Sequence, residues 1–129
     1  FTGKRILLAE DNDLNAEIAI AILEEHGLEV ERAEDGIDCV NMIEKADADH
    51  YDLVLMDIQM PNMDGYKATQ LIRQLPDKKK SGIPVIAMTA NAFEEDKRNA
   101  LAAGMDGFLS KPIALEELIH TLQNSMEMK

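Results

Sequence analysis

The chain consists of short, continuous apolar runs separated by longer amphipathic stretches, and each apolar run stops on a polar or charged residue. Arg5–Ala9 (RILLA), Leu53–Met56 (LVLM) and Ile83–Met88 (IPVIAM) read as strands buried on both faces, and Gly107–Leu109 as a shorter one. Glu29–Ala33 (EVERA) alternates instead, as a half-buried edge strand does. Between them the spacing predicts helices over Leu14–His26, Gly36–Lys45, Gly65–Leu75, Glu94–Ala103 and Ala114–Met126. Gly27 takes the C′ position of the first helix, where a left-handed backbone is easiest for glycine, and Gly104 ends the fourth. In the second helix Ile37, Val40 and Ile43 or Glu44 lie near one face; the apolar stripes are Ala68, Leu71, Ile72 and Leu75 in the third, and Leu115, Leu118, Ile119 and Leu122 in the last. Lys78–Gly82 reads as a polar loop whose Lys78–Lys80 run is a solvated stretch in preference to a docking patch. Strands that alternate with helices in this way predict one α/β domain with a parallel sheet covered on both faces.

Composition narrows what that domain contacts. With 129 residues and 46% apolar side chains it can bury one core, but aromatics are only 4%, so aliphatic residues and eight methionines must fill it. The net charge of −12 opposes a nucleic-acid contact, which needs a basic face, and equally opposes an anionic membrane surface. A lone cysteine, Cys39, excludes an internal disulfide framework and a multi-thiolate zinc site, and fits a reducing, cytoplasmic setting in which it packs as a small hydrophobe. No apolar run approaches the ~18 residues of a membrane span, and no signal peptide is recognised. The first residue is Phe1, which reads as the start of a piece of a longer protein.

The chemistry lies where the buried runs end. RILLA ends in Glu10 and Asp11, LVLM in Asp57, IPVIAM in Thr89, and GFLS in Lys111. In an open α/β sheet, ligands sit beyond the carboxyl ends of the strands, at the point where strand order reverses. One acidic strand end is as easily a helix cap as a ligand; four ends of complementary chemistry at one sheet edge are harder to explain that way. Three carboxylates close together repel unless something neutralises them. Lys111 offers one positive charge, and an all-oxygen donor set calls for a hard divalent cation, Mg²⁺ above all. A phosphoryl group placed there would meet the metal, the Lys111 ammonium and the Thr89 hydroxyl. With no serine, cysteine or histidine placed as nucleophile, a carboxylate remains, and Asp57 stands alone where Glu10 and Asp11 form a pair suited to metal.

These residues resemble the receiver domain of two-component response regulators, in Leu7–Asn15 (LLAEDNDLN), Leu55–Gly65 (LMDIQMPNMDG), Met88–Ala92 (MTANA), Ala103–Asp106 (AGMD) and Ser110–Ile113 (SKPI). The resemblance runs from about Lys4 to Met126, within a domain spanning 1–129. It implies a doubly wound, flavodoxin-like (βα)5 fold, a five-stranded parallel sheet with strand order 2-1-3-4-5. It implies Asp57 as phosphoacceptor, Glu10 and Asp11 as the metal pair, and the Gln59 backbone carbonyl as a further metal ligand. It makes Lys111 the partner of the phosphoryl oxygens, ahead of a cis bond to Pro112. Thr89 becomes the hydroxyl that turns toward the phosphoryl group, and Phe108 the aromatic ring that fills the space left behind. The face over Glu94–Met126 then changes shape. Gln59 and Asn91 would tune hydrolysis by steering water; neither is a strong base, which implies a phosphorylated state of moderate lifetime.

The Glu-Asp-Asn opening, MTANA, AGMD and LSKPI together are most similar to receivers of hybrid sensor histidine kinases. Such a domain catalyses its own phosphorylation and dephosphorylation without being a stand-alone turnover enzyme. Its implied partners are a histidine kinase, a histidine phosphotransfer domain, or both, and not nucleic acid or membrane; it is expected as a monomer or weak dimer. Localisation is expected to be cytoplasmic, a setting compatible with a membrane-anchored parent. The first helix carries Leu14, Ile18, Ile20, Ile22 and Leu23, more apolar surface than one core stripe needs; either the sheet buries it broadly or part docks a partner's four-helix bundle.

Rival readings fail at particular residues. A phosphatase using an aspartyl phosphate would carry a second Asp where Gln59 stands. A dinucleotide or flavin site would need a Gly- or Ser/Thr-rich loop where Glu10-Asp11-Asn12-Asp13 stands. A P-loop would need Gly-Lys-Ser/Thr. The alternative that remains is a degenerate receiver that only binds partners, but such chains lack part of the acidic pair, the acceptor or the lysine. His26, His50 and His120 share no metal-ligand spacing and are expected to be solvated, and Met60 and Met63 are expected to pack the loop after Asp57.

Overall fold

A computed structural model describes residues 3–89, 94–110 and 115–127. The elements are β1 (Arg5–Ala9), α1 (Asp13–Glu25), β2 (Glu29–Ala33), α2 (Gly36–Lys45), β3 (Leu53–Asp57), α3 (Gly65–Arg73), α4 (Lys78–Ser81), β4 (Val85–Thr89), α5 (Glu94–Ala103), β5 (Gly107–Ser110) and α6 (Leu115–Glu127). The five strands form one parallel sheet in the order β2-β1-β3-β4-β5, as expected. Because side chains alternate across a strand, each strand feeds two cores. Ile6, Leu8, Leu53, Leu55, Ile86 and Met88 pack with α1 and Leu118 of α6 on one face. Leu7, Val54, Met56, Val85 and Ala87 pack with α2, α3 and α5 on the other. Burial on both sides is why the strands read as unbroken apolar runs.

Turn chemistry ends the helices where expected: Gly27 and Gly104 take positive φ, 82° and 101°. Other boundaries move for local reasons. The Asn12 side chain accepts from the Asn15 N–H, so α1 starts at Asp13. Pro84 cannot donate to a ladder, so β4 starts at Val85, not Ile83. The expected loop at Lys78–Gly82 contains a one-turn helix, because the Asp77 carboxylate caps the N–H groups of Lys79 and Lys80. Its lysines are engaged at the surface, Lys79 with Asp49 and Lys80 with the Glu44 carbonyl.

Two side-chain expectations need correction. In α2 the buried stripe is Gly36, Cys39, Val40 and Ile43, and Ile37 faces solvent. Cys39 is fully buried, and burial pushes its thiol up to about 12. His50 is not solvated like exposed His120. Arg5 Nη1, which can only donate, lies 3.0 Å from its Nδ1, and its Nε2 lies 2.7 Å from Glu31 Oε2. The ring therefore carries its proton on Nε2 and donates to Glu31. Burial raises the Glu31 carboxyl, but hydrogen bonds from His50 and Tyr51 outweigh it and leave the pKa lowered. His26 closes α1, its Nδ1 2.9 Å from the Ile22 carbonyl oxygen.

Arg73 joins the opposite end of the sheet. Its guanidinium donates to the carbonyls of Gly104, Ser81 and Ile83 and to the Asp106 carboxylate, which also accepts from the Val85 N–H. One side chain thereby fixes the entries to β4 and β5. Arg73→Ala is expected to cost about 3 kcal/mol in urea unfolding, since it strips partners from three partly buried carbonyls; a cost below about 0.5 kcal/mol would contradict that role.

Candidate functional site

Register builds the site. Ala9 of β1 pairs with Met56 of β3, so the next residues, Glu10 and Asp57, emerge side by side. Asp57 in turn pairs with Met88, and Thr89 with Ser110, which sets Thr89 at the neighbouring strand end. Ligand oxygens of Glu10, Asp11 and Asp57 lie within 4.8 Å of one another. Glu10 and Asp57 are buried and Asp11 is exposed, so the cluster has a floor and an open rim. Thr89 is buried too. The three acidic residues singled out in the sequence thus meet, with Thr89 on the adjacent strand. Lys111, Pro112 and Asn91 lie outside the described residues.

The donor set is all oxygen. Hard oxygen donors held this close fit a magnesium-type ion better than a soft metal. Asp57 Oδ1 accepts the Gln59 N–H at 3.3 Å, which turns the chain sharply after the strand. The Gln59 side chain is exposed.

Backbone contacts bring the next loop against Asp57. The Gly65 N–H donates to the Ile58 carbonyl at 2.9 Å, and a Cβ on Gly65 would lie 2.5 Å from the Asp57 carbonyl oxygen. Glycine is therefore what lets α3 start directly against the end of β3. Further along, Asn62 has φ 68° and its amide donates to Asp35 Oδ2 at 2.8 Å. A Cβ on Gly36 would likewise lie 2.5 Å from the Met63 carbonyl oxygen. The loop after Asp57 is thus seated on the start of α2. The Asp38 N–H and then the Asn62 amide hold the Asp35 carboxyl below its usual range. Met60 and Met63 pack on the core, as expected.

Arg32 lies outside every motif segment of the sequence. Its Nε and Nη2 donate to the Glu10 carbonyl at 3.0 and 2.9 Å, and its Nη1 to Asp13 Oδ1 at 2.8 Å. The available signal was its place at the end of the edge strand, two residues after Val30 and so on the same face, beside the β1 terminus. Gly65 stood inside the LMDIQMPNMDG segment, but only the three-dimensional approach of α3 shows what it does.

Phe108 is half-buried on β5 and packs on the α2, α3 and α5 face, beside a shallow groove that Lys97, Ser110, Glu117 and Thr121 also line. On α1, Leu14 is 64% and Ile18 53% exposed, one turn apart, whereas Ala16, Ala19 and Leu23 are buried. The sheet takes one stripe of that helix and leaves the other open. Among the described residues no helix is long and apolar enough to cross a membrane.

An α/β sheet of this order, with an acidic pair after β1 and an aspartate at the end of β3, defines a receiver. Residues 6–123 match the response regulator receiver domain family, and the chain belongs to it. It is 43% identical over 117 residues to the sensor histidine kinase RcsC of Escherichia coli K12, covering 91% of this chain and 12% of that protein. It is 41% identical over 115 residues to the sensor protein GacS of Pseudomonas syringae, covering 88% and 12%. The chain thus spans about an eighth of the length of these relatives. Among solved structures, the receiver domain of the sensor histidine kinase PA1611 from Pseudomonas aeruginosa, with a magnesium ion in its active-site cleft, superposes with TM-score 0.86 at 40% identity, over 98% of this chain and 99% of that one. The receiver domain of Ssk1 from Saccharomyces cerevisiae, crystallised with the histidine phosphotransfer protein Ypd1, gives 0.87 at 27% identity over 99% and 92%.

Gly65→Ala is expected to cost about 2 kcal/mol in urea unfolding and to shift the backbone amides of Asp57 and Ile58 in NMR spectra. Unchanged stability and unchanged amides would show that α3 does not need the close approach.

Proposed function

We propose that this receiver accepts a phosphoryl group from a phosphohistidine onto Asp57, and then passes it to a histidine phosphotransfer domain, switches conformation, or does both. The observation that carries this is the meeting of the Asp57 carboxylate with Glu10 and Asp11 within 4.8 Å at one sheet edge. An oxygen of Asp57 attacks phosphorus in line with the P–N bond; that bond breaks, and the imidazole leaves with the electron pair and takes up a proton. Glu10, Asp11 and Asp57, with the Gln59 carbonyl, would hold Mg²⁺, in keeping with the magnesium-bound relative from Pseudomonas aeruginosa. Bound there, Mg²⁺ supplies positive charge against the carboxylates and phosphoryl oxygens. Lys111 is assigned to the phosphoryl oxygens from its place in the SKPI segment. The Thr89 hydroxyl then turns toward the new group, Phe108 follows, and the face over Glu94–Met126 alters its partner affinity as a two-state shift. Gln59 and Asn91 set how readily water removes the phosphoryl group.

The domain, 1–129 with a core of about 4–126, belongs in our reading to a longer hybrid sensor histidine kinase, working on the cytoplasmic side. Its own reaction is self-phosphorylation and self-dephosphorylation. Exposed Leu14 and Ile18 offer α1 as the docking surface for a partner's helical bundle; the Ypd1 complex of the Ssk1 receiver supports a histidine phosphotransfer protein as the class of partner. The charge of −12 argues against direct nucleic-acid binding, and the domain acts as a monomer or weak dimer.

Incubation with a small acyl-phosphate donor is expected to add one phosphoryl group by intact mass, only with Mg²⁺ and not in Asp57→Asn. The adduct should be lost to hydroxylamine, as an acyl phosphate is. A gain retained by Asp57→Asn would contradict Asp57 as acceptor.

A further inference from the structure

Glu10 and Asp11 are joined by a single peptide unit, whose plane is set by ψ of Glu10 and φ of Asp11. Rotating that unit turns one carboxylate against the other. The handle on it is the Glu10 carbonyl oxygen, which takes both Nε–H and Nη2–H of Arg32, at 3.0 and 2.9 Å. The preceding peptide unit is held by the Glu10 N–H to the Ala33 carbonyl at 3.1 Å. Both peptides that flank Glu10 are therefore fixed by the end of the edge strand β2. The third arm of the guanidinium goes to Asp13, the first residue of α1, and forms an ion pair at 2.8 Å that offsets the Arg32 charge.

We infer that Arg32 is a positioning residue for cation binding: by forking the Glu10 carbonyl it sets the relative orientation of the Glu10 and Asp11 carboxylates. This rests on the reading of that pair as a Mg²⁺ site. The geometry separates the role from simple charge. A guanidinium fork fixes a carbonyl in two directions, whereas a lysine ammonium keeps the charge and loses the fork. Asp13, by contrast, is 86% exposed and touches only the outer arm, so its loss leaves the fork in place. Partners one step behind the ligands commonly matter nearly as much as the ligands themselves.

The test is Mg²⁺ binding to the metal-free chain by calorimetry, with the Asp11 amide followed by NMR. Arg32→Lys is expected to bind Mg²⁺ roughly tenfold more weakly and to shift the Asp11 amide before any metal is added. Asp13→Asn should stay within about threefold of the natural chain, as an exposed pair contributes little. In the natural chain, a coupling across the hydrogen bond from Arg32 Nε–H to the Glu10 carbonyl carbon should persist at saturating Mg²⁺; this readout needs no variant to fold. Arg32→Lys binding as tightly as the natural chain would overturn the role, as would equal weakening in Asp13→Asn or loss of the coupling on metal binding. A natural chain that binds no Mg²⁺ would overturn the reading of the site, and with it this inference; the two failures are thus distinct.

Discussion

Repulsion among three carboxylates is the constraint that the rest of this structure answers. Glu10, Asp11 and Asp57 present oxygens within 4.8 Å. At that range a pair of like charges costs on the order of 3 kcal/mol at an effective dielectric of 20, and about 1 kcal/mol in bulk water. Two of the three are buried, where water helps least. A fold driven only toward stability would separate them. Here the β1–β3 ladder, paired through Ala9 and Met56, prevents that separation, and β4 locks β3 from the other side. The hydrophobic cores on both faces supply the rigidity that holds this sheet edge.

The surrounding loops follow from the same constraint. The segment after Asp57 must leave the cluster open, and it does so by leaning on α2 through Asn62 and Gly36. Helix α3 comes in close because Gly65 has no Cβ. Arg32 reaches from the edge strand to hold the acidic loop by its backbone, without covering a carboxylate oxygen of Glu10 or Asp11 in any hydrogen bond described for it. Arg32 and Gly65 thus support the acidic cluster through backbone carbonyls, those of Glu10 and Asp57. Sites that break local rules in this way, with support arranged around them, are where function is expected.

Much of this was legible because it is periodic. Strands buried on both faces cannot hide their composition, so RILLA, LVLM and IPVIAM were readable as strands, and their polar ends as a shared edge. What escaped was non-local or had two solutions. In α2 the sequence offers two overlapping stripes, and only packing chooses Cys39 over Ile37. Three consecutive lysines masked the Asp77 cap that makes α4 a helical turn. His50 looked solvated because its partners, Arg5 and Glu31, are far away in sequence. Arg32 looked like one polar position of an alternating strand, since its carbonyl acceptor is 22 residues earlier.

The most direct test of this account is unfolding stability with and without Mg²⁺, comparing the natural chain with Asp11→Asn. Asp11 is exposed, so its neutralisation removes repulsion with little loss of packing. Without metal the variant should be more stable, by about 1 kcal/mol. Millimolar Mg²⁺ should raise the midpoint of the natural chain, because a cation bound only by the folded state stabilises it, and should raise that of the variant much less. A variant that is less stable than the natural chain without metal, or a natural chain whose midpoint ignores Mg²⁺, would contradict the account.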